Sequence, residues 1–300
     1  MKRISVIFLT FVILFATTAY DAQSRGKDDR ASDPSKGGLY TPLGSSGSDT
    51  IVDPIINWPT FYGVQQTGEI DASFNCYGQF GKGFHPGAFN IPGWPQASFV
   101  TPPGSYIEYL FGGAIWVGGI VSGDTLVSVG ADGWQFVREM YPPEYPSRGS
   151  VTEFDYPTDF SMRAEFYDTI TVGIPGDYFG RPHIPLYIRI ANRSHVWRSG
   201  PYNWTVIYDM VITNIGDIPI EQGYVGFYFD GDVFHISGAG YFDDLTGSIP
   251  GEGIAYIIDN DGDLLAPPGQ QTPRILAFKF LETSFPPVHK SFNWWFGCGG

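Results

Sequence analysis

The chain has 300 residues, 43% of them hydrophobic and 17% aromatic, with a net charge of −14. So apolar a chain can bury a sizeable core, which excludes global disorder. The acidity excludes nucleic acid, whose phosphates require a basic surface, and docking on anionic lipid. The 39 glycines and 24 prolines are scattered rather than periodic, so they predict many turns and not a collagen.

The N-terminus sets the expected compartment. Lys2 and Arg3 precede an apolar run from Ile4 to Phe15, and Thr17 and Ala19 suit the −3 and −1 positions of a signal peptidase site. The run is too short for a membrane span, which needs about 20 residues, so no transmembrane span is expected. Residues 1–19 therefore read as a cleaved secretory signal, and the protein as secreted or held at the cell surface. Loss of Lys2 and Arg3 takes the net charge to −16. Residues 20–50 are polar, rich in Gly and Ser and without periodicity, and read as a flexible leader. The two cysteines, Cys76 and Cys298, permit one disulfide or two separate thiols.

From residue 51 onward the elements read as strands. Ala114–Val121 and Thr125–Val129 form the clearest hairpin, turning at Ser122-Gly123-Asp124. Met162–Val172 alternates loosely. Leu186, Ile188 and Ile190 share one face of the next strand, with Tyr187 and Arg189 on the other. Trp204, Val206, Tyr208, Met210 and Ile212 share a face, and the opposite one (Thr205, Ile207, Asp209, Val211, Thr213) is half apolar. That pattern predicts a strand buried on both sides or nearly so. The strand ends at Asn214 and turns at Gly216-Asp217, where Asn and Gly are expected to tolerate positive φ. "YVGFYFDGDVF", "GIAYIIDN" and "RILAFKFLET" follow as further strands. No segment shows an apolar pattern at i, i+3, i+4, i+7. The expected fold is all-β: a β-sandwich, Ig-like or a larger two-sheet form, or two packed sandwich units. It spans 51–300 with a candidate subdivision near 175–182.

"EYLFGGAIWVGGIVSGDTLVSVGADGW", "YDMVITNIGDIPIEQGYVGFYFDGDV", "FDDLTG", "IAYIIDNDGD" and "KSFNWW" stand in this order. With these strings the chain resembles large uncharacterised secreted β-rich proteins of environmental bacteria, many of which end in a C-terminal sorting or Ig-like domain. The resemblance covers roughly Tyr106 to the last residue. It implies export and a β-rich body, and no activity. This chain stops at "NWWFGCGG" where those proteins run on, so its C-terminal end is expected to be incomplete.

Three constellations carry candidate chemistry. Asp259, Asp261 and Asp263 alternate after the apolar run Ile254–Ile258, with Gly262 to allow a tight bend. A hard cation such as Ca²⁺ takes six to eight oxygens, and carboxylates at every second position of a curled loop can supply three. The segment lacks the twelfth-position Glu of an EF-hand. A second cluster lies upstream, Asp230 and Asp232 and then Asp243 and Asp244, and it too is expected to follow strand ends. If the strand ends meet, these seven carboxylates converge and a cation is their natural partner; His235 could join them. The same residues are also ordinary turn formers. The eight tryptophans and 18 tyrosines could stack on sugar rings, or simply fill a core. Hydrolytic signatures are absent: no HExxH and no G-x-S-x-G elbow. A glycosidase pair drawn from Glu108, Glu139, Glu153 and Glu165, or a triad assembled from distant residues, is not selected by any spacing.

These observations lead to an exported, acidic, non-catalytic structural or adhesive protein with calcium at the strand-end Asp loops. Its expected partners are cell-surface or matrix components, glycans among them. The alternative is a carbohydrate-binding or carbohydrate-cleaving module. The hydrolase alternative would require a histidine beside a Ser and an Asp in a pocket.

Overall fold

The computed structural model describes residues 6–17, 61–83, 98–132, 137–171, 182–238, 240–283 and 289–294. The 20–50 leader and the candidate subdivision near 175–182 lie outside them. The fold is all-β, in several antiparallel sheets. Among the described residues the only helical elements are two 3-10 turns, Gly240–Phe242 and Pro250–Glu252. No described helix is long and apolar enough to cross a membrane.

The strands are β1 (Val6–Thr17), β2 (Tyr62–Thr67), β3 (Ile70–Asn75), β4 (Gln79–Phe80), β5 (Ile107–Glu108), β6 (Gly112–Val121), β7 (Asp124–Val129) and β8 (Thr152–Glu153). They continue with β9 (Phe160–Tyr167), β10 (Ile188–Val196), β11 (Thr205–Asn214), β12 (Gly223–Asp230), β13 (Phe234–His235), β14 (Leu245–Ile249), β15 (Ile254–Ile258) and β16 (Arg274–Thr283). One sheet has eight strands in the order β14-β15-β16-β1-β11-β10-β9-β8. A second runs β12-β6-β4-β3-β2, with β7 also on β6, and β13 pairs β5 separately.

The predicted hairpin is β6–β7. Val121 faces Asp124 across a two-residue loop, and Ser122 and Gly123 both take positive φ (53° and 88°). A loop of this kind twists with its strands, which is why Gly belongs there. In β11 the even-numbered Val206, Tyr208, Met210 and Ile212 are buried and the odd face is mostly half-buried, as the alternation predicted. At the following corner the reason differs from expectation. Neither Asn214 nor Gly216 has positive φ. Instead the Asn214 side chain accepts from the Gly216 N–H at 2.9 Å and donates to the Ile218 carbonyl at 2.8 Å. Gly216 is required because a Cβ would lie 2.9 Å from that of Tyr187.

One core joins the two large sheets. Tyr208 of β11 meets the rings of Phe74 and Phe80, and Phe278 of β16 meets Phe227 and Phe229 of β12. Burying aromatic rings of this size contributes most of the stabilisation available to such a core. Strand β3 is buried on both faces, and Asn75 at its end is satisfied inside. Asn75 Oδ1 accepts from the backbone N–H of Tyr77 and Gln79, and its Nδ2 donates to Gln79 Oε1. Cys76 is a free, buried thiol whose pKa burial pushes up to about 12. Cys298 lies outside the described residues.

Candidate functional site

The acidic loops are placed by the β14–β15 ladder. Leu245 pairs with Ile258 at its end, so Asp243 and Asp244 leave one strand where Asp259 leaves its neighbour. The loop beyond is a pair of overlapping Asx turns. Asp259 Oδ1 accepts from the N–H of Asp261 (2.8 Å) and Gly262 (2.6 Å), and Asp261 Oδ1 accepts from that of Asp263 (2.9 Å). Gly262 and Asp263 take positive φ, 70° and 49°, curling the chain back. Asp259 is buried, and its Oδ2 accepts from the Thr272 hydroxyl at 2.6 Å.

This curl gathers carboxylate oxygens of Asp243, Asp259 and Asp261 within 4.8 Å of one another. Three carboxylates gathered this closely could hold a metal ion. Both Asp259 oxygens already accept protein donors, but a carboxylate has about four lone-pair sites and can still bind a cation. The structure thus gathers three of the seven predicted aspartates into a group of chelating size. Asp244 and Asp263 adjoin it, whereas Asp230 and Asp232 are not brought into it.

Asp244 and Asp263 are electrostatically coupled to it. Burial, then the charges of Asp259, Asp261 and Asp243, push Asp263 up to about 6. Asp244 donates nothing: its Oδ2 accepts from the Val233 N–H at 2.6 Å, and its Oδ1 is buried without a hydrogen-bond partner. Burial drives its pKa up to about 8, with Asp232, Asp259 and Asp243 adding repulsion. Burial, then Asp230 and Glu108, raise Asp232 to about 7. Asp230 and Asp243 also shift upward, mainly through desolvation. Asp244 therefore links the Asp230–Asp232 strand end to the Asp243–Asp259–Asp261 group. His235 is not in that group: its Nδ1 bonds Ser237 Oγ at 2.7 Å and its ring meets Tyr106.

The four glutamates have separate partners. Glu108, buried, pairs with Lys82. Glu139 lies 3.0 Å from His183 Nδ1, Glu165 accepts from the Tyr167 hydroxyl, and Glu153 lines a pocket. Of the tryptophans, Trp116 stacks on Tyr228, Trp204 lies under the Arg274 guanidinium and Trp294 is exposed. Trp58, Trp94, Trp134 and Trp295 lie outside the described residues.

A contact that no sequence spacing selected lies on the outer face of the eight-stranded sheet. Ser161 of β9 and His195 of β10 are direct cross-strand neighbours, and Asp209 is two residues along β11 from the partner of His195. Ser161 Oγ is 2.9 Å from His195 Nδ1, and His195 Nε2 is 3.2 Å from Asp209 Oδ2. The β8–β9 loop closes over them: the Tyr156 ring lies 4.4 Å from that of His195, and Thr158 Oγ1 is 2.6 Å from Ser161 Oγ. Ser161 lines a pocket of about 310 Å³ with Glu153, Phe154, Asp155, Tyr156 and Asp159.

No family model, curated protein or solved structure matches this chain.

Proposed function

We propose that this is an exported, non-catalytic protein of the cell surface or medium, with a structural or adhesive role and calcium at its strand-end loops. Its two large sheets, packed through one aromatic core, read as the faces of a β-sandwich. Its partners are other surface or matrix components. The observation that carries the cation is the gathering of Asp243, Asp259 and Asp261 oxygens within 4.8 Å beside Asp244 and Asp263. A divalent ion would offset the repulsion that, after burial, raises Asp243, Asp244 and Asp263. The basic-then-apolar N-terminus and the resemblance to secreted β-rich bacterial proteins support export. Thermal unfolding with EDTA and then with Ca²⁺ tests the site. At 100 times its Kd the ion adds about 2.7 kcal/mol, which is roughly 5–10 °C in a domain this large. The gain is expected to vanish in the Asp243→Asn, Asp259→Asn, Asp261→Asn variant. No gain in the parent chain would leave the loop as a pair of Asx turns.

A second, hydrolytic reading rests on the Ser161–His195–Asp209 contact beside a pocket. With Nε2–H donated to Asp209, His195 Nδ1 would accept the Ser161 proton as the hydroxyl attacks an ester carbonyl. The burial of Ser161 and its bond to Thr158 favour the non-catalytic reading. A fluorophosphonate settles the choice. Labelling of the parent chain, absent in Ser161→Ala, would make it a hydrolase; no labelling returns the trio to a hydrogen-bonded sheet face.

A further inference from the structure

The eight-stranded sheet contains an unexpected member. Strand β1, inside the segment read as a cleaved signal, is its central strand. Val6–Leu14 pairs with β11, and Leu9–Thr17 pairs with β16, antiparallel on both sides. Among the described residues no other strand connects the β14-β15-β16 part of the sheet to the β11-β10-β9-β8 part. If the signal is removed at Ala19, this strand leaves with it.

What remains is a gap with two long open edges. β11 and β16 each run opposite to β1, so they are parallel to one another and stand two strand spacings apart, about 9.6 Å. The core opposes their simply closing up. Tyr208 of β11 is held against Phe80 at 5.0 Å, and Phe278 of β16 against Phe227 at 5.0 Å. Phe80 and Phe227 touch each other on the facing sheet at 5.9 Å. Each flank is thus anchored to the opposite sheet without reference to β1. Two unpaired edges above a packed core form a template for another strand.

We infer that the channel between β11 and β16 is a strand-acceptor slot, and that in the exported chain it takes an apolar extended segment of a partner polypeptide, antiparallel to both flanks. This rests on the export reading. The register defines the occupant's chemistry. Positions 9, 11 and 13 of β1 stand opposite Met210, Tyr208 and Val206 of β11, and positions 11 and 13 also stand opposite Phe280 and Phe278 of β16. Residues directly opposite share a face. The partner segment therefore needs aliphatic or aromatic residues at three successive alternate positions. It needs six residues at the least, the length (Leu9–Leu14) over which β1 pairs on both sides. An adhesive protein that receives a partner's strand in this way would join it through main-chain bonds on both edges.

The test begins with the intact mass of the exported protein. A mass starting at Tyr20 is expected; a mass that includes Met1–Ala19 means that β1 is retained and overturns the slot, whereas absence of the protein from the exported fraction overturns the export reading itself. A synthetic peptide of Val6–Thr17, flanked by lysines for solubility, is then added to the processed chain. Amide hydrogen exchange is followed in 205–214 and 274–283. Exchange is expected to slow at least 100-fold on both strands, and not with a control peptide carrying Asp at the positions of Leu9, Phe11 and Ile13. If both strands are protected without peptide, they have paired with each other and the slot does not exist. Protection of one strand alone, or by both peptides equally, also overturns it. Should the processed chain not fold unaided, the peptides are added during refolding. Recovery with the apolar peptide and not its Asp variant supports the slot; equal recovery, or none, overturns it.

Discussion

Asp168→Ala is expected to destabilise the chain by about 3–5 kcal/mol, the range for removing one partner from a buried charged network. Asp168 is fully buried at the end of β9. Its Oδ2 accepts from the Ser128 hydroxyl and the Leu186 N–H, and its Oδ1 from the Ile188 N–H, all at 2.7 Å. Its own carbonyl takes a bond from His183 Nε2 at 2.8 Å. Ser128 belongs to β7 on the six-stranded sheet, whereas Ile188 opens β10 on the eight-stranded one. One carboxylate therefore staples two sheets and fixes the entry to β10, where Tyr187 takes a positive φ of 57°. Alanine leaves three buried donors without acceptors, each costing about 1–3 kcal/mol before relaxation. Ser128→Ala removes a single bond and should cost about 1–2 kcal/mol. Urea unfolding with an unchanged m-value measures both. A loss under 1 kcal/mol for Asp168→Ala would mean that water replaces the carboxylate and that the staple is dispensable.

Asp168 also marks where sequence reading stops. Met162–Val172 alternates loosely enough to read as one strand, but β9 ends at Tyr167 because Asp168 turns inward as an acceptor for residues some 20 positions on. Nothing local announces such a bond. Elements governed by local chemistry were legible: the Ser122-Gly123 turn, the alternation of β11, and the aspartates after β15 that its end presents. Ser161, His195 and Asp209 come together only through the register of three strands, so no spacing selects them. Polar residues hid β3 from the pattern, since Asp71, Ser73 and Asn75 interrupt the apolar run and are buried all the same. The run Val6–Thr17 was legible as apolar but not as a strand, because an apolar run is equally compatible with a secretory signal and with a central strand. Of the seven aspartates, the gathering of three depends on the β14–β15 register, and the burial of Asp244 depends on Val233 of a neighbouring segment.

The calcium-free chain is expected to unfold at a higher temperature at pH 5.5 than at pH 8.5, opposite to the behaviour of proteins rich in salt-bridged carboxylates. Burial and mutual repulsion raise Asp263 to about 6, Asp232 to about 7 and Asp244 to about 8 in the folded chain, against 3.8 for an ordinary aspartate. Between those limits the folded state binds more protons than the unfolded one, so stability falls as pH rises. The fall begins near the ordinary value of 3.8 and ends for each group at its folded pKa, about 6 for Asp263, 7 for Asp232 and 8 for Asp244, so above pH 6 it comes mainly from the last two. Each kcal/mol lost lowers the midpoint by about 2–4 °C, so a difference of several degrees is expected, dominated by the more deeply buried Asp232 and Asp244. His183 contributes with the same sign. Burial opposes its charge, but the bonds to Glu139 and to the Asp168 carbonyl leave its pKa raised, so its stabilisation is present at low pH and lost as pH rises. The variant Asp232→Asn, Asp244→Asn removes the two largest carboxylate parts: it should flatten the profile and leave the smaller Asp263 and His183 parts. Calcium should flatten it as well, because an ion at Asp243, Asp259 and Asp261 replaces the protons as the source of compensating positive charge. A parent profile that rises with pH would show that the acidic loops are open enough for water to screen them, and the calcium assignment would lose its electrostatic basis.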